Sequence, residues 1–245
     1  MFDRLVLSRP VATIAAGIVF LVTCSLGIWQ LSRMQQKLDL AMAIKQMEAR
    51  GILYANDRNW TLEAAEHRRM LARGRFLGQH TVFLDNRPYP QGIDPKTGVS
   101  VGYLVMTPLL LEPSHRVLWV NRGWLPRLVD NRLTVPQVRT PDGIVEVEGV
   151  VFAHPPRVME LGRGSKDSSV IQNLDIKAFE GKIPYPHFDF VLRQATEIKD
   201  DLVRHWAPAQ SGAERHQGYA FQWFALAALT LSFWLLSGLK RKKID

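Results

Sequence analysis

The segment RHQGYAFQWFALAALTLSFWLL, residues 215–236, carries His216, Tyr219 and Trp223 at i, i+3 and i+7, a spacing that places all three on one side of a helix. An imidazole at the mouth of an apolar helix is suited to axial ligation of iron, and Tyr and Trp rings offer flat apolar surface to a porphyrin. Arg215, and Arg33 if two helix ends lie side by side, are placed to pair with propionate carboxylates. A plainer reading stands beside this one. Tyr and Trp belts are ordinary at bilayer interfaces, and a His or Arg just outside a span can simply be solvated. Near the other candidate helix end, Trp29, Arg33 and Lys37 fall at i, i+4 and i+8, which reads as interfacial anchoring with a Trp–Arg cation–π contact.

The elements that must position these residues are two uncharged apolar stretches, 11–31 and 218–239. At about 1.5 Å per residue each is long enough to cross the roughly 30 Å hydrocarbon core of a bilayer. Arg4 and Arg9 precede the first, and Lys240, Arg241, Lys242 and Lys243 follow the second. Basic residues flanking spans stay in the cytoplasm, so both termini are expected inside and residues 32–217 outside. The first apolar stretch is too long for a signal-peptide core, and no small-residue cleavage pattern follows it. Its Cys24 is expected to be a buried thiol in a continuous helix.

Composition removes several function classes. The chain has 31 Lys+Arg against 23 Asp+Glu and a net charge of +8, but the charge is scattered and no nucleic-acid recognition module stands out. Nucleic acid is not an expected partner. Cys24 is the sole cysteine, so the outer domain has no disulfide framework and no thiol nucleophile. Its histidines form no His-x-x-x-His or His/Cys pair, and no nucleophile elbow, P-loop or dinucleotide fingerprint occurs. LGRGSKD, residues 161–167, reads as a turn. An enzyme is not indicated.

Between the spans, residues 31–50 lack Gly and Pro and are rich in helix formers, so the first helix is expected to continue into the aqueous phase, with a further short helix over 60–69. Short apolar or alternating runs then recur at 70–77, 81–85, 101–111, 117–124, 144–152, 170–174 and 188–192, bounded by turn residues. They predict an antiparallel sandwich or barrel. The fold class is therefore a membrane hairpin of two terminal transmembrane helices flanking a mainly β (sandwich- or barrel-like, α+β) extracytoplasmic domain. VFLDNRPYP and VLWVNRGWLP share a strand followed by Asn-Arg, an aromatic and a Pro, which does not amount to a repeat array. Arg122 and Trp124 are of the types favoured as interface anchors and are candidate partner-binding residues, with a turn and a core position as the structural alternatives. Arg73 and Arg75 share a strand face, expected to be solvated.

Five segments in order, GIWQLSRMQQK, MLARGRF, GYLVMTPLLL leading into VLWVNRGWLP, VEVEGVV and RHQGYAFQWFALA, resemble the surfeit locus protein 1 family of cytochrome c oxidase assembly factors over nearly the whole chain. The resemblance implies a membrane protein that binds haem a transiently and assists its insertion into the oxidase catalytic subunit. Its metal ligand would be His216, to haem iron only, with Trp223 at the matching tryptophan position. Implied partners are that subunit, the haem a synthesis machinery and the lipid bilayer; a cofactor-free scaffold is the alternative. Copper delivery is disfavoured because soft-metal transfer relies on Cys or Met clusters. The short basic N-terminus, without an Arg/Ser-rich extension, leads to an expectation of a bacterial cytoplasmic (inner) membrane rather than a mitochondrial one.

Overall fold

A computed structural model describes residues 9–127, 137–159, 169–206 and 212–241. By contacts the chain divides into two compact units, Met1–Ala43 with Ala209–Asp245, and Ile44–Pro208.

The first unit is helical. Helix α1 spans Pro10–Glu48, opening on a proline whose missing N–H is one that a helix start leaves unpaired anyway. It passes without a break through the apolar stretch and the helix-forming run that follows, as expected. The last helix, α3, spans Ala213–Arg241. Both are long and apolar enough to cross a membrane by length and composition. Small residues let them approach: Thr23 and Gly27 on α1 and Ala220 and Ala227 on α3 are buried. A Cβ on Gly27 would lie 2.7 Å from the Phe224 ring, so the helices close on that glycine. Trp234 Nε1 donates to Thr13 Oγ1 at 3.1 Å, and Arg9 Nη1 donates to Ser237 Oγ at 3.1 Å. These pairs fix an antiparallel register.

The second unit is a β-barrel with additions. Strands β1 (Leu53–Tyr54), β2 (Arg69–Phe76), β3 (Val82–Pro88), β4 (Val101–Leu111), β5 (Val117–Pro126), β6 (Ile144–Phe152), β7 (Val170–Ile171) and β8 (His187–Gln194) form one sheet. Its order is β1-β2-β6-β8-β5-β4-β3-β7, and an extra β2–β4 pairing closes β2, β6, β8, β5 and β4 into a ring. Closure occurs from Gly74 onward, which pairs with Val145 of β6 on one edge of β2 and with Leu111 of β4 on the other. A Cβ there would sit 2.2 Å from the Leu110 carbonyl oxygen, so only glycine admits the approach.

Alternate residues of β2 and β6 are buried and line the barrel with Met70, Ala72, Phe76, Leu118, Val147 and Phe190. β4 and β5 are buried along almost their whole length, because a second core of Leu84, Met106, Trp119, Trp124, Leu174 and Ile183 covers their outer face. That explains why these strands read as continuous apolar runs rather than alternating ones. Arg73 and Arg75 are exposed on the opposite side of β2, with Arg75 facing Glu112 at 3.6 Å.

Three expectations are corrected. The sheet is not purely antiparallel: β5 and β8 pair parallel, which the long crossover through β6 and β7 permits. The helix expected over 60–69 is one turn, α2 (Leu62–Ala65), because β2 takes the chain from Arg69. β7 ends at Ile171, where the chain turns to bury Leu174. The turn expected at 161–167 lies outside the described residues.

The separateness of the second unit leads to a prediction. Residues 47–206 expressed alone are expected to be soluble with a mainly β circular dichroism spectrum, since they hold their own cores and need no disulfide. A mainly helical spectrum would contradict this fold.

Candidate functional site

Of the predicted cluster, His216 and Trp223 are drawn closest together. Seven residues are almost two full helical turns, leaving the two side chains about 20° apart around α3, whereas Tyr219 lies about 60° and Arg215 about 100° from His216. Burial follows these angles: His216 and Trp223 are half-buried, Arg215 is exposed, and Tyr219 is 52% exposed. His216 and Trp223 thus lie toward the α1–α3 seam, with Tyr219 on its flank and Arg215 outside it.

The seam supplies His216 with a partner from the other helix. Its Nδ1 is 2.7 Å from Gln30 Oε1, and among the described residues Nε2 has no hydrogen-bond partner. An amide oxygen only accepts, so Nδ1 is the donor, and in the neutral ring the lone pair is then on Nε2. This donor set fits haem: one imidazole with a free Nε2, exposed aromatic faces on Tyr219 and Trp29, and exposed guanidinium groups on Arg33 and Arg215. Arg33 stays within its own helix, donating from Nη1 to Gln36 Oε1 at 3.0 Å and lying 5.7 Å from the Trp29 ring centroid. The cation–π contact expected from the spacing is present; no direct Arg33–Arg215 contact occurs among the described residues.

Gln30 was not among the expected site residues. Its signal was present in the sequence: Thr23, Gly27 and Gln30 follow the i, i+4, i+7 spacing of a helix seam, and Gln30 is a bulky amide at the end of an otherwise apolar stripe.

Arg122 and Trp124 are placed elsewhere, and the docking expectation for them is corrected. Both are 0% exposed. At β5 the register shifts opposite Val105 and Met106, leaving Arg122 as the extra residue before Gly123, whose φ of +150° suits glycine. The bulge turns Arg122 inward, where Nη2 donates to Asp200 Oδ2 at 2.9 Å and to the Arg139 carbonyl at 2.6 Å, and Nη1 donates to Thr140 Oγ1 at 3.0 Å. Arg204 shares the same Asp200 oxygen, and Phe76 lies 5.0 Å from the Arg122 guanidinium. Burial pulls the Arg122 guanidinium below its ordinary value and Asp200 opposes this; the group stays charged. Trp124 Nε1 donates to the Arg87 carbonyl at 3.0 Å, deep in the second core.

The related segment at β3 behaves alike. Asn86, at φ +59°, lies in a register shift between Leu84 and Arg87, and Arg87 is buried with its guanidinium donating to the Pro156 and Gln172 carbonyls. The shared Asn-Arg is thus a bulge that turns an arginine into the interior, where it ties distant loops together. It is a device of folding.

Two cavities lie apart from this seam end. One of about 430 Å³ in the β unit is lined by His154, Arg157, Asp175, Lys177, His187 and Asp189, among others. His187 is already engaged, accepting at Nδ1 from Trp119 Nε1 at 3.3 Å, and burial holds its pKa below the ordinary value. No group of His, Cys, Asp and Glu suited to a metal occurs among the described residues. The other cavity, about 450 Å³, is an apolar groove between α1 and α3 walled by Ala12, Ala16, Leu229 and Phe233. Neither is lined by His216.

Comparison with known proteins follows the same pattern along the chain. The SURF1 family model matches residues 17–228, a stretch that contains Gln30, the whole β unit, His216 and Trp223. A SURF1-like protein of Caenorhabditis briggsae is 25% identical over 86% of this chain and 70% of its own length. One from Monosiga brevicollis is 23% identical over 90% of this chain and 84% of its own length. A Rickettsia felis SURF1-like protein is 25% identical over 86% of this chain and 89% of its own length.

Proposed function

Because this chain belongs to the SURF1 family, we propose that it is a cytochrome c oxidase assembly factor that binds haem a at the outer end of its helical hairpin and assists its insertion into the oxidase catalytic subunit. The observation that carries this reading is the state of His216: one ring nitrogen held by Gln30, the other without a partner among the described residues. Haem a is cargo here. His216 Nε2 would ligate its iron, Trp223 and Tyr219 would face the macrocycle, and Arg215 and Arg33 would meet the propionates by replacing water or, for Arg33, its contact with Gln36. A single imidazole at the edge of a two-helix seam suits a cargo that must leave again.

The membrane setting is part of the proposal. Arg4, Arg9 and the basic run from Lys240 would keep both termini in the cytoplasm and leave the β unit outside, and the Rickettsia relatives support a bacterial inner membrane. A reporter active only in the cytoplasm is expected to work when fused after Asp245. One active only outside is expected to work when inserted at Gly181, an exposed turn residue. The reverse pattern would overturn the orientation.

Function itself is tested in cells lacking the chain. The catalytic subunit is expected to persist with a deficit of haem a, because handover is what is lost. If the subunit disappears while the remaining copies carry their full haem a, the chain acts as a cofactor-free scaffold and the haem reading fails.

A further inference from the structure

We infer that Gln30 is a positioning residue for His216: across the α1–α3 seam it holds the imidazole in the Nδ1–H tautomer and aims Nε2 as the iron-ligating atom. This rests on the reading of His216 as the haem ligand and adds a second residue, on the other helix, that sets how the ligand behaves.

Gln30 Oε1 lies 2.7 Å from His216 Nδ1. Two acceptor lone pairs at that distance would repel, so Nδ1 carries a proton and, in the neutral ring, the lone pair is on Nε2. Free histidine in water favours the other tautomer, with the proton on Nε2, where it would block ligation. The protein therefore has to invert the preference, and a fixed acceptor at Nδ1 is the means. Gln30 is itself half-buried in the seam, one turn beyond Gly27, whose contact with Phe224 sets the helix separation. Tautomer and ring orientation are thus coupled to how closely the two helices pack.

The choice of an amide has a consequence. A carboxylate at this position would pull on the Nδ1 proton, make the imidazole more basic and strengthen its hold on ferric iron. A neutral amide orients the ring with less of that effect. Such a ligand is aimed but weak, as release to a partner requires.

The test has one arm without haem and one with it. In the full-length apo protein with nitrogen-15-labelled histidine, the His216 ring, identified by its loss in His216→Ala, is expected to be protonated at Nδ1 and bare at Nε2. Gln30→Leu should move it toward the Nε2–H tautomer, and Gln30→Glu should keep the proton at Nδ1. After titration with haem a, Gln30→Leu should bind about tenfold more weakly, the lower end of what loss of such an orienting partner costs. Gln30→Glu should bind more tightly, with a reduction potential below that of the wild type. An apo ring protonated at Nε2 would overturn the inference. So would unchanged tautomer, affinity and potential in both variants of a protein that binds haem a through His216. A wild type that has the Nδ1–H tautomer but takes up no haem a would overturn the ligand reading instead, and with it any role for Gln30 beyond pairing the helices.

Discussion

Asp200→Asn is expected to destabilise the β unit by about 4 kcal/mol, within the range for breaking a buried ion pair by removing one partner. Among the described residues, Asp200 is the one carboxylate facing both Arg122 and Arg204, whose side chains are 0% and 1% exposed. The asparagine keeps the shape and one acceptor, so the loss isolates the charge. Two guanidinium groups would then share a dry site with only Glu197, 3.4 Å from Arg204 and largely exposed, as counter-ion. For a domain of this size the change corresponds to a fall in Tm of roughly 8–16 °C. Arg122→Met should cost less, because Asp200 keeps Arg204 as its counter-ion and the loss is limited to the hydrogen bonds that Arg122 makes with Asp200, the Arg139 carbonyl and Thr140. Thermal melting of the full chain followed by tryptophan fluorescence checks both the size and the order. An Asp200→Asn protein that melts within a few degrees of wild type would mean that these charges are not buried together.

His216→Ala is expected to abolish the haem a spectrum without lowering protein abundance. The side chain contributes one interhelical hydrogen bond, worth on average about 0.6 kcal/mol in a membrane protein, while it would supply the whole bond to iron. Trp223→Ala should weaken haem binding by about 1 kcal/mol, roughly fivefold, through lost packing against the macrocycle. The two variants therefore differ in kind: one loses the ligand field and the other only affinity. Retention of haem a at wild-type stoichiometry and with an unchanged spectrum in His216→Ala would falsify the ligand assignment.

Much of the fold was legible because it is governed by local pattern. The runs at 101–111 and 144–152 coincide with β4 and β6, and the Gly/Pro-free stretch after the first span is helical through Glu48. What escaped depends on distant partners. Ring closure needs β2 to take on β4 along its second edge from Gly74 while its first stays on β6, and in sequence that glycine is only an interruption in a strand. The parallel pairing of β5 with β8 leaves no trace in the periodicity of either strand. Arg122 illustrates the limit most clearly: within VLWVNRGWLP it reads as a polar residue at a strand end, and only Asp200, far along the chain, explains why it is inside.

The candidate site divides in the same way. His216 and Trp223 follow from helical spacing within one segment, and their shared side is where α3 meets α1. Gln30 belongs to the other helix, and its contact with His216 depends on the antiparallel register of the pair, which composition does not specify. Tyr219 and Arg215 were close in sequence but lie round the helix from His216, so adjacency in the chain overstated how tightly the cluster converges.

Whether this chain carries haem a on His216 is decided by the haem content and visible spectrum of the full-length protein purified from membranes that make haem a. The expected product is a protein that retains haem a with the absorption of a histidine-ligated iron. A colourless protein from such membranes would contradict that assignment.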